Sequence, residues 1–551
     1  MADGPLIVQS DKTVLLEIDH PDASLCRLAI APFAELERAP EHVHTYRITS
    51  LALWNARAAG LDAEAVVDVL VTYSRFPVPQ GLLVDIVDVM DRYGRLVLDA
   101  DPEHGLVLRT TDAAVLEEVI RSKQVGPLLG ARLSPDAVAV SPAERGRLKQ
   151  ALLKVGWPAD DQAGYVDGAS HPIFLDELSG GPDGKGFELR DYQRDAIDTF
   201  FVSGSGVVVL PCGAGKTLVG AGAMAAASAR TLILVSNTVS ARQWRDELIS
   251  RTSLTAEEVG EYSGERKEIK PVTIATYQIL ATRSKGVYTH FHVFDAEDWG
   301  LVIYDEVHLL PAPIFRLTAE IQSRRRLGLT ATLVREDGRE TDVFSLIGPK
   351  RFEAPWRDME AQGWIAPAVC TEVRVALTDA ERMTYAVADP DQRHQLAAAA
   401  KSKMAMVERI IERHHDEPVL VIGMYLDQLD QMAERLDAAV ITGKTPNKER
   451  QRLFGEFRSG ERRVLVVSKV ANFSIDLPEA SVAIQVSGTF GSRQEEAQRL
   501  GRVLRPKADG RQAHFYSVVS RDTIEQEFAA RRQRFLAEQG YAYEITDGLD
   551  L

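Results

Sequence analysis

The chain has 551 residues, 45% of them hydrophobic and 26% charged, with a formal net charge of −16 at pH 7. That length exceeds a single hydrophobic core, so several domains are expected, and no apolar run is long enough for a membrane span. Three scattered cysteines, Cys26, Cys212 and Cys370, exclude a disulfide framework and a four-cysteine cluster; the N-terminus has no secretory pattern, so the expected setting is a reducing cytoplasm.

The acidity is uneven. Residues 1–120 carry 9 Lys and Arg against 20 Asp and Glu, a net of −11, which leaves −5 for the rest. Phosphate binding needs a local positive groove rather than a positive total, so the balance alone selects no partner. In chain order, 13–18 and 96–99 read as strands, 48–59 and 63–74 as helices, and 142–156 as an amphipathic helix followed by a small β-rich piece. Trp54 and Trp157 read as packing residues. His42 and His44 alternate on a strand without a third or fourth ligand in view, so a structural role is expected for them over a metal site. Glycine and proline cluster at 179–186, the clearest linker.

Beyond it, short β-branched runs at 206–210, 231–236, 271–276, 301–305 and 327–330 end in small or polar residues and lead into helical stretches. This alternation predicts a parallel sheet with helices on both faces. It resumes at 419–425, 464–467 and 482–486, predicting a second sheet domain from residue 358, with 363–367 as the joint. The fold class is therefore α/β, with two tandem parallel-sheet domains behind an α+β N-terminal region.

The first of these strands runs into Pro211, Cys212, Gly213, Ala214, Gly215, Lys216 and Thr217, a phosphate loop followed by a helix. The glycines let backbone N–H groups curl around phosphate oxygens. Lys216 reaches the β and γ phosphates of ATP, and Thr217 holds Mg²⁺. Leu210 replaces the first glycine of the general pattern, a form typical of helicase-like ATPases. Eighty-nine residues after Lys216, an apolar strand delivers Asp305 and Glu306. Asp305 is expected to hold Mg²⁺, and Glu306 to position and deprotonate the attacking water. Upstream, Gln193 is expected to read the adenine edge, supported by Arg190 and Tyr192. In the second domain, Arg502 and Arg505 share a helix face and suit arginine fingers, with Gln498 orienting water or phosphate. Fingers from a second domain make hydrolysis depend on domain closure.

Lys216, Asp305-Glu306, the run 329–332 and the run 498–505, in this order, resemble superfamily-two helicases. The forms of 210–217, 305–308, 329–337, 473–478 and 491–505, with 42–49 near the N-terminus, are similar to the XPB family of DNA repair helicases. The resemblance implies RecA-like ATPase domains at 185–357 (ATP-binding) and 358–551 (helicase C-terminal). Before them it implies an acidic N-terminal domain at 1–125, then a damage-recognition-like region and linker at 126–184. It further implies 3′ to 5′ movement on DNA and duplex opening at a single-strand junction, in repair or transcription. Arg335, Glu336 and Asp337 match its RED motif for duplex opening. Asp476 would contact ribose or relay closure, and a short thumb would occupy 378–400. A repair nuclease or a transcription–repair assembly is the implied partner, docking on the acidic N-terminus, and a nucleoid-associated location follows.

Nucleic-acid contacts are expected after the strands: Ser236 and Asn237 with Gln243 and Trp244, Thr276 with Tyr277, Thr442 with Gly443, and Ser468 with Lys469. Thr330 and Thr332 would couple this path to ATP. Each reading competes with simple helix capping. Arg324, Arg325 and Arg326 form a charge run that is either a solvated face or part of this path, and His414-His415 reads as a helix-end charge feature. Besides a helicase, two readings stay open: a duplex translocase that does not separate strands, and an ATPase switch that recruits a partner.

Overall fold

A computed structural model describes residues 4–39, 42–176, 187–211, 213–284, 287–311, 314, 318, 321, 324–331, 340–354, 368–468, 480–488, 512–530 and 543–548. Four antiparallel strands begin the chain: β1 (Leu6–Val8), β2 (Thr13–Glu17), β3 (Glu35–Arg38) and β4 (Val43–Arg47), ordered β1-β2-β4-β3. Their apolar side chains share one core with the helices Ser50–Ala58, Ala63–Tyr73 and Gln80–Arg92. Thr49 and Asp62 cap the first two of these helices by accepting from Ala52 N and Ala65 N. Trp54 is buried here and donates to the Val89 carbonyl at 2.9 Å. The two histidines part company. His42 is exposed and bonded to Asp19, whereas burial, then the Arg27 charge, pushes the His44 ring down to about 4.

A second sheet, ordered β7-β8-β6-β5-β9, joins β5 (Leu96–Asp101), β6 (Gly105–Thr110), β7 (Leu129–Ser134), β8 (Ala137–Val140) and β9 (Ala159–Asp161). The expected division at residue 125 runs between strands of this one sheet. The amphipathic segment forms the helix Arg145–Lys154, and Trp157 packs beneath the Arg92 guanidinium. Residues 164–176 then run along the next domain, with Ala169 N on Asp298 O at 2.8 Å and Asp176 N on Arg251 O at 2.9 Å.

That domain holds seven parallel strands: β10 (Ser205–Val209), β11 (Thr231–Val235), β12 (Val259–Tyr262), β13 (Val272–Thr276), β16 (Leu301–Asp305), β17 (Arg325–Thr330) and β18 (Lys350–Glu353). A separate antiparallel pair, β14 (Arg283–Ser284) and β15 (Val287–Tyr288), lies between β13 and β16 in sequence. The order is β12-β13-β11-β16-β17-β10-β18. Its central strands are apolar on both faces, as a sheet covered on both sides requires.

The second parallel-sheet domain has β19 (Ala368–Val375), β20 (Val419–Gly423), β21 (Ala439–Ile441), β22 (Val464–Ser468), β23 (Val482–Gln485), β24 (Ala513–Ser520) and β25 (Tyr543–Asp547), again all parallel. Its order, β21-β22-β20-β23-β24-β19-β25, repeats the first domain strand for strand. Residues 378–400 form two short helices, Asp379–Val387 and Pro390–Ala398, the first opened by a Thr378–Glu381 capping box. Among the described residues no helix is long and apolar enough to cross a membrane.

Candidate nucleotide site and nucleic-acid path

A parallel sheet places every strand's C-terminal end on one edge, where ligands bind in such folds. At that edge β10 leads through Leu210 and Pro211 into a loop in which Gly213 (φ +84°) and Gly215 (φ +76°) are left-handed. The second has no room for a side chain either: a Cβ there would lie 2.4 Å from Gln193 Nε2. Gly215 caps the helix Lys216–Ala227, whose first-turn N–H groups and positive dipole end face the loop.

The loop is braced from below. Gln193 is buried, accepts from Arg190 N at 3.0 Å and donates to Ala214 O at 2.9 Å. Tyr192 donates to the same carbonyl at 2.8 Å and receives a bond from Arg190. The Gln193 amide thus first holds the phosphate loop in shape; its second N–H and second lone pair are what it has left for a base.

Opposite Lys216, the buried run Leu301 to Tyr304 delivers the two carboxylates. Glu306 is left-handed at φ +50°, a conformation that costs a branchless side chain about 1 kcal/mol and is retained where the surroundings enforce it. It turns the carboxylate onto Lys216, Oε1 to Nζ at 2.6 Å. Burial opposes its charge, yet Lys216 and then His308 hold its pKa below the usual carboxylate range. Asp305 shifts the other way, raised first by burial and then by the Glu306 charge. Its Oδ2 accepts from the Trp244 indole at 2.9 Å, and its Oδ1 from Glu306 N at 3.1 Å. Tyr277 donates to the Asp305 carbonyl at 2.8 Å. Thr217 stands beside Lys216 at the helix start, half-buried.

A second thread leaves Glu306 toward β17. His308 lies 3.5 Å from Glu306 Oε2, and its Nδ1 meets Thr330 Oγ1 at 2.7 Å. Both His308 and Thr330 are buried. The coupling expected of Thr330 therefore has a side-chain route to the carboxylate, through a histidine that sequence reasoning passed over.

The expected nucleic-acid residues fall into two groups. Ser236 and Asn237 are half-buried at the end of β11, where Asn237 caps the following helix through Ser240 N at 2.9 Å. Thr276 and Ser468 are buried, at 2% and 1% exposure, and Thr276 caps the turn after β13. Trp244 is a correction: it is buried against the helix Lys216–Ala227, where a Cβ on Gly220 would meet its ring at 2.4 Å, and serves Asp305. The triple arginine is another. Arg326 is fully buried with Nε on Leu346 O, Arg324 pairs with Asp298 and Arg325 with Asp167. Arg325 and Arg326 start β17, with Arg324 just before it, at the opposite end from the loop, and the three are neither a solvated face nor part of the path. His414 spends its two nitrogens on Glu417 and Tyr516 at 2.8 and 2.9 Å, so it is a packed, bonded residue of the second domain; His514 lies against it. Cys212, Thr332, Arg335, Glu336, Asp337, Lys469, Asp476, Gln498, Arg502 and Arg505 lie outside the described residues, as does the expected joint at 363–367.

Comparison with known proteins places this geometry. A family profile described as ERCC3/RAD25/XPB C-terminal helicase matches residues 359–550. One described as type III restriction enzyme, res subunit, matches 186–335, and one described as helicase conserved C-terminal domain matches 6–134. The chain is 70% identical to a DNA 3′-5′ helicase XPB of Kineococcus radiotolerans, over 100% of this chain and 98% of that protein. It is 68% identical to a protein of the same name in Mycobacterium tuberculosis, over 100% and 99%. It is 33% identical to the general transcription and DNA repair factor IIH helicase/translocase subunit XPB of Antonospora locustae, over 99% and 82%.

Proposed function

Because this chain belongs to the XPB family of helicases, we infer that it is a DNA-dependent ATPase and 3′–5′ DNA helicase that opens duplexes in repair or transcription-linked repair. The observation that carries the mechanism is the Lys216–Glu306 contact at 2.6 Å, set between the phosphate loop and Asp305. A lysine so held is exchangeable: a γ-phosphate carries more charge than a carboxylate and draws Lys216 to itself. Glu306 is then released to orient a water and accept its proton as that water attacks the terminal phosphorus. The bond between that phosphorus and the ADP oxygen breaks, and the loop N–H groups take up the leaving charge.

Thr217 and Asp305 offer the oxygen donors that a hard divalent cation takes, and a buried carboxylate with a raised pKa is one that a cation relieves. Mg²⁺ there supplies charge neutralisation on the phosphates. From the second domain, Gln498, Arg502 and Arg505 complete the site when the domains 185–357 and 358–551 close, with Asp476 at the ribose. The thread from Glu306 through His308 to Thr330 carries the state of the phosphate to the DNA side, where Thr332, Lys469 and the 335–337 motif act on the junction. Relatives named as subunits of transcription and repair factor IIH work inside an assembly. By analogy, the acidic residues 1–120 of this chain face a protein partner, a repair nuclease or a transcription–repair assembly.

The test is strand separation on duplexes bearing a 3′ or a 5′ single-stranded tail, with ATP and Mg²⁺. Opening of the 3′-tailed substrate alone is expected. ATP turnover stimulated by DNA without strand separation would make the chain a translocase, the word that the factor IIH relatives share with helicase in their names.

A further inference from the structure

The edge that carries the phosphate loop continues past β11 to β13 and β12, and the side chains gathered there were not among the expected contacts. From β16, which leads into Glu306, to β12 is three strand spacings, roughly 15 Å. Just after β13 the chain forms the turn Tyr277–Leu280 and then the antiparallel pair of β14 and β15. On this pair the Tyr288 ring stacks on Phe291, centroids 4.4 Å apart and planes 7° from parallel. The Arg283 guanidinium lies 4.2 Å from the Tyr288 centroid and bonds to its hydroxyl. Arg283 is exposed and pairs with no carboxylate among the described residues, in a chain whose net charge is −16.

Next to it, at the end of β12, Tyr262 bonds through its hydroxyl to His290 at 2.8 Å and to His292 at 3.3 Å, with the Lys267 ammonium 5.1 Å from its ring centroid. The His290 ring is held below its ordinary value by burial, then by the Lys267 and His292 charges. An arginine stacked on an aromatic ring has lost most of its rotamer freedom beforehand, so its remaining N–H donors meet a phosphate at lower entropic cost than a free lysine would.

We propose that Arg283, on β14, is a phosphate contact for one DNA strand, with Tyr288 and Phe291 as its stacking support and Lys267, over the Tyr262 ring, as a second cation. The proposal rests on the helicase reading and extends its strand path beyond the ends of β11 and β13. The test is fluorescence anisotropy of a labelled single-stranded DNA with the full chain, titrated over a range of salt. Arg283→Ala is expected to weaken binding about tenfold and to make the log–log salt slope shallower by about one. Arg283→Lys is expected to restore the slope but not the affinity, because the charge returns without the stack. Arg121→Ala, a highly exposed arginine on the N-terminal part of the chain, is the control and is expected to change neither. Binding and slope unchanged in Arg283→Ala, with the unsubstituted chain binding DNA, would overturn this site alone. Failure of the unsubstituted chain to bind DNA would overturn the helicase reading and this site with it.

Discussion

The two seven-stranded sheets are topological copies, yet only one carries an ATP loop. In both, the first strand lies next to the edge strand and the fifth lies at the centre. In the first copy that first strand, β10, ends in glycines and Lys216-Thr217; in the second copy, β19 ends at a Thr378–Glu381 capping box with no glycine and no lysine. The fifth strands differ likewise: β16 delivers Asp305 and Glu306, whereas β23 is followed by Val486 and Ser487. Among the described residues, each copy also has a Lys–Glu pair near these ends. Lys216–Glu306 keeps 12% and 18% exposure and rests on a left-handed residue; Lys403–Glu525 is sealed at 0% and 2%, with Lys403 also on Val486 O and Glu525 also on Ser520 N. The shared architecture supplies an edge, and a few residues at strand ends decide whether that edge does chemistry or holds itself together.

Substitutions at the two pairs sharpen that contrast. Glu306→Gln keeps the shape of the site but removes the proton acceptor, so ATP still binds while turnover falls by roughly a hundred- to ten-thousandfold; filter binding beside a phosphate-release assay checks both halves. Lys216→Ala removes one cation from the phosphates and is expected to lower turnover by about a hundred- to a thousandfold, with the far-UV circular dichroism unchanged. Lys403→Ala should do the reverse. It strands Glu525 in a sealed site at a cost of about 3–5 kcal/mol, seen as a lower denaturant midpoint. If Lys403→Ala left stability untouched while stopping turnover, the distinction between the pairs would collapse. The smallest effect is expected of Trp244→Phe, which keeps an aromatic ring at this position but withdraws the donor from Asp305, a change of about 1 kcal/mol in the site read as a several-fold loss in turnover.

Much of this contrast was legible before any coordinates. Gly213, Gly215 and Lys216-Thr217 are read from one strand–loop–helix stretch, and Asp305-Glu306 from an apolar strand followed by two acids, because each signal is local. What stayed hidden depends on contacts between distant segments. Trp244 looks like a surface contact after a strand, and only the close approach of Gly220 shows why it is buried and aimed at Asp305. Three consecutive arginines look solvated, yet Arg326 turns inward because β17 starts beneath the turn after Leu346. His308 reads as a family letter, and its bond to Thr330 needs β16 and β17 side by side. The sheet shared by 96–110 and 129–161 was equally invisible, since β9 pairs with β5 across some sixty residues of chain.

The most direct test of the central claim is steady-state ATP hydrolysis by the full chain with Mg²⁺, measured with and without single-stranded DNA and repeated with Glu306→Gln. The account predicts turnover that DNA stimulates and that the substitution lowers by at least about a hundredfold. Turnover indifferent to DNA, or surviving Glu306→Gln at the unsubstituted rate, would contradict it.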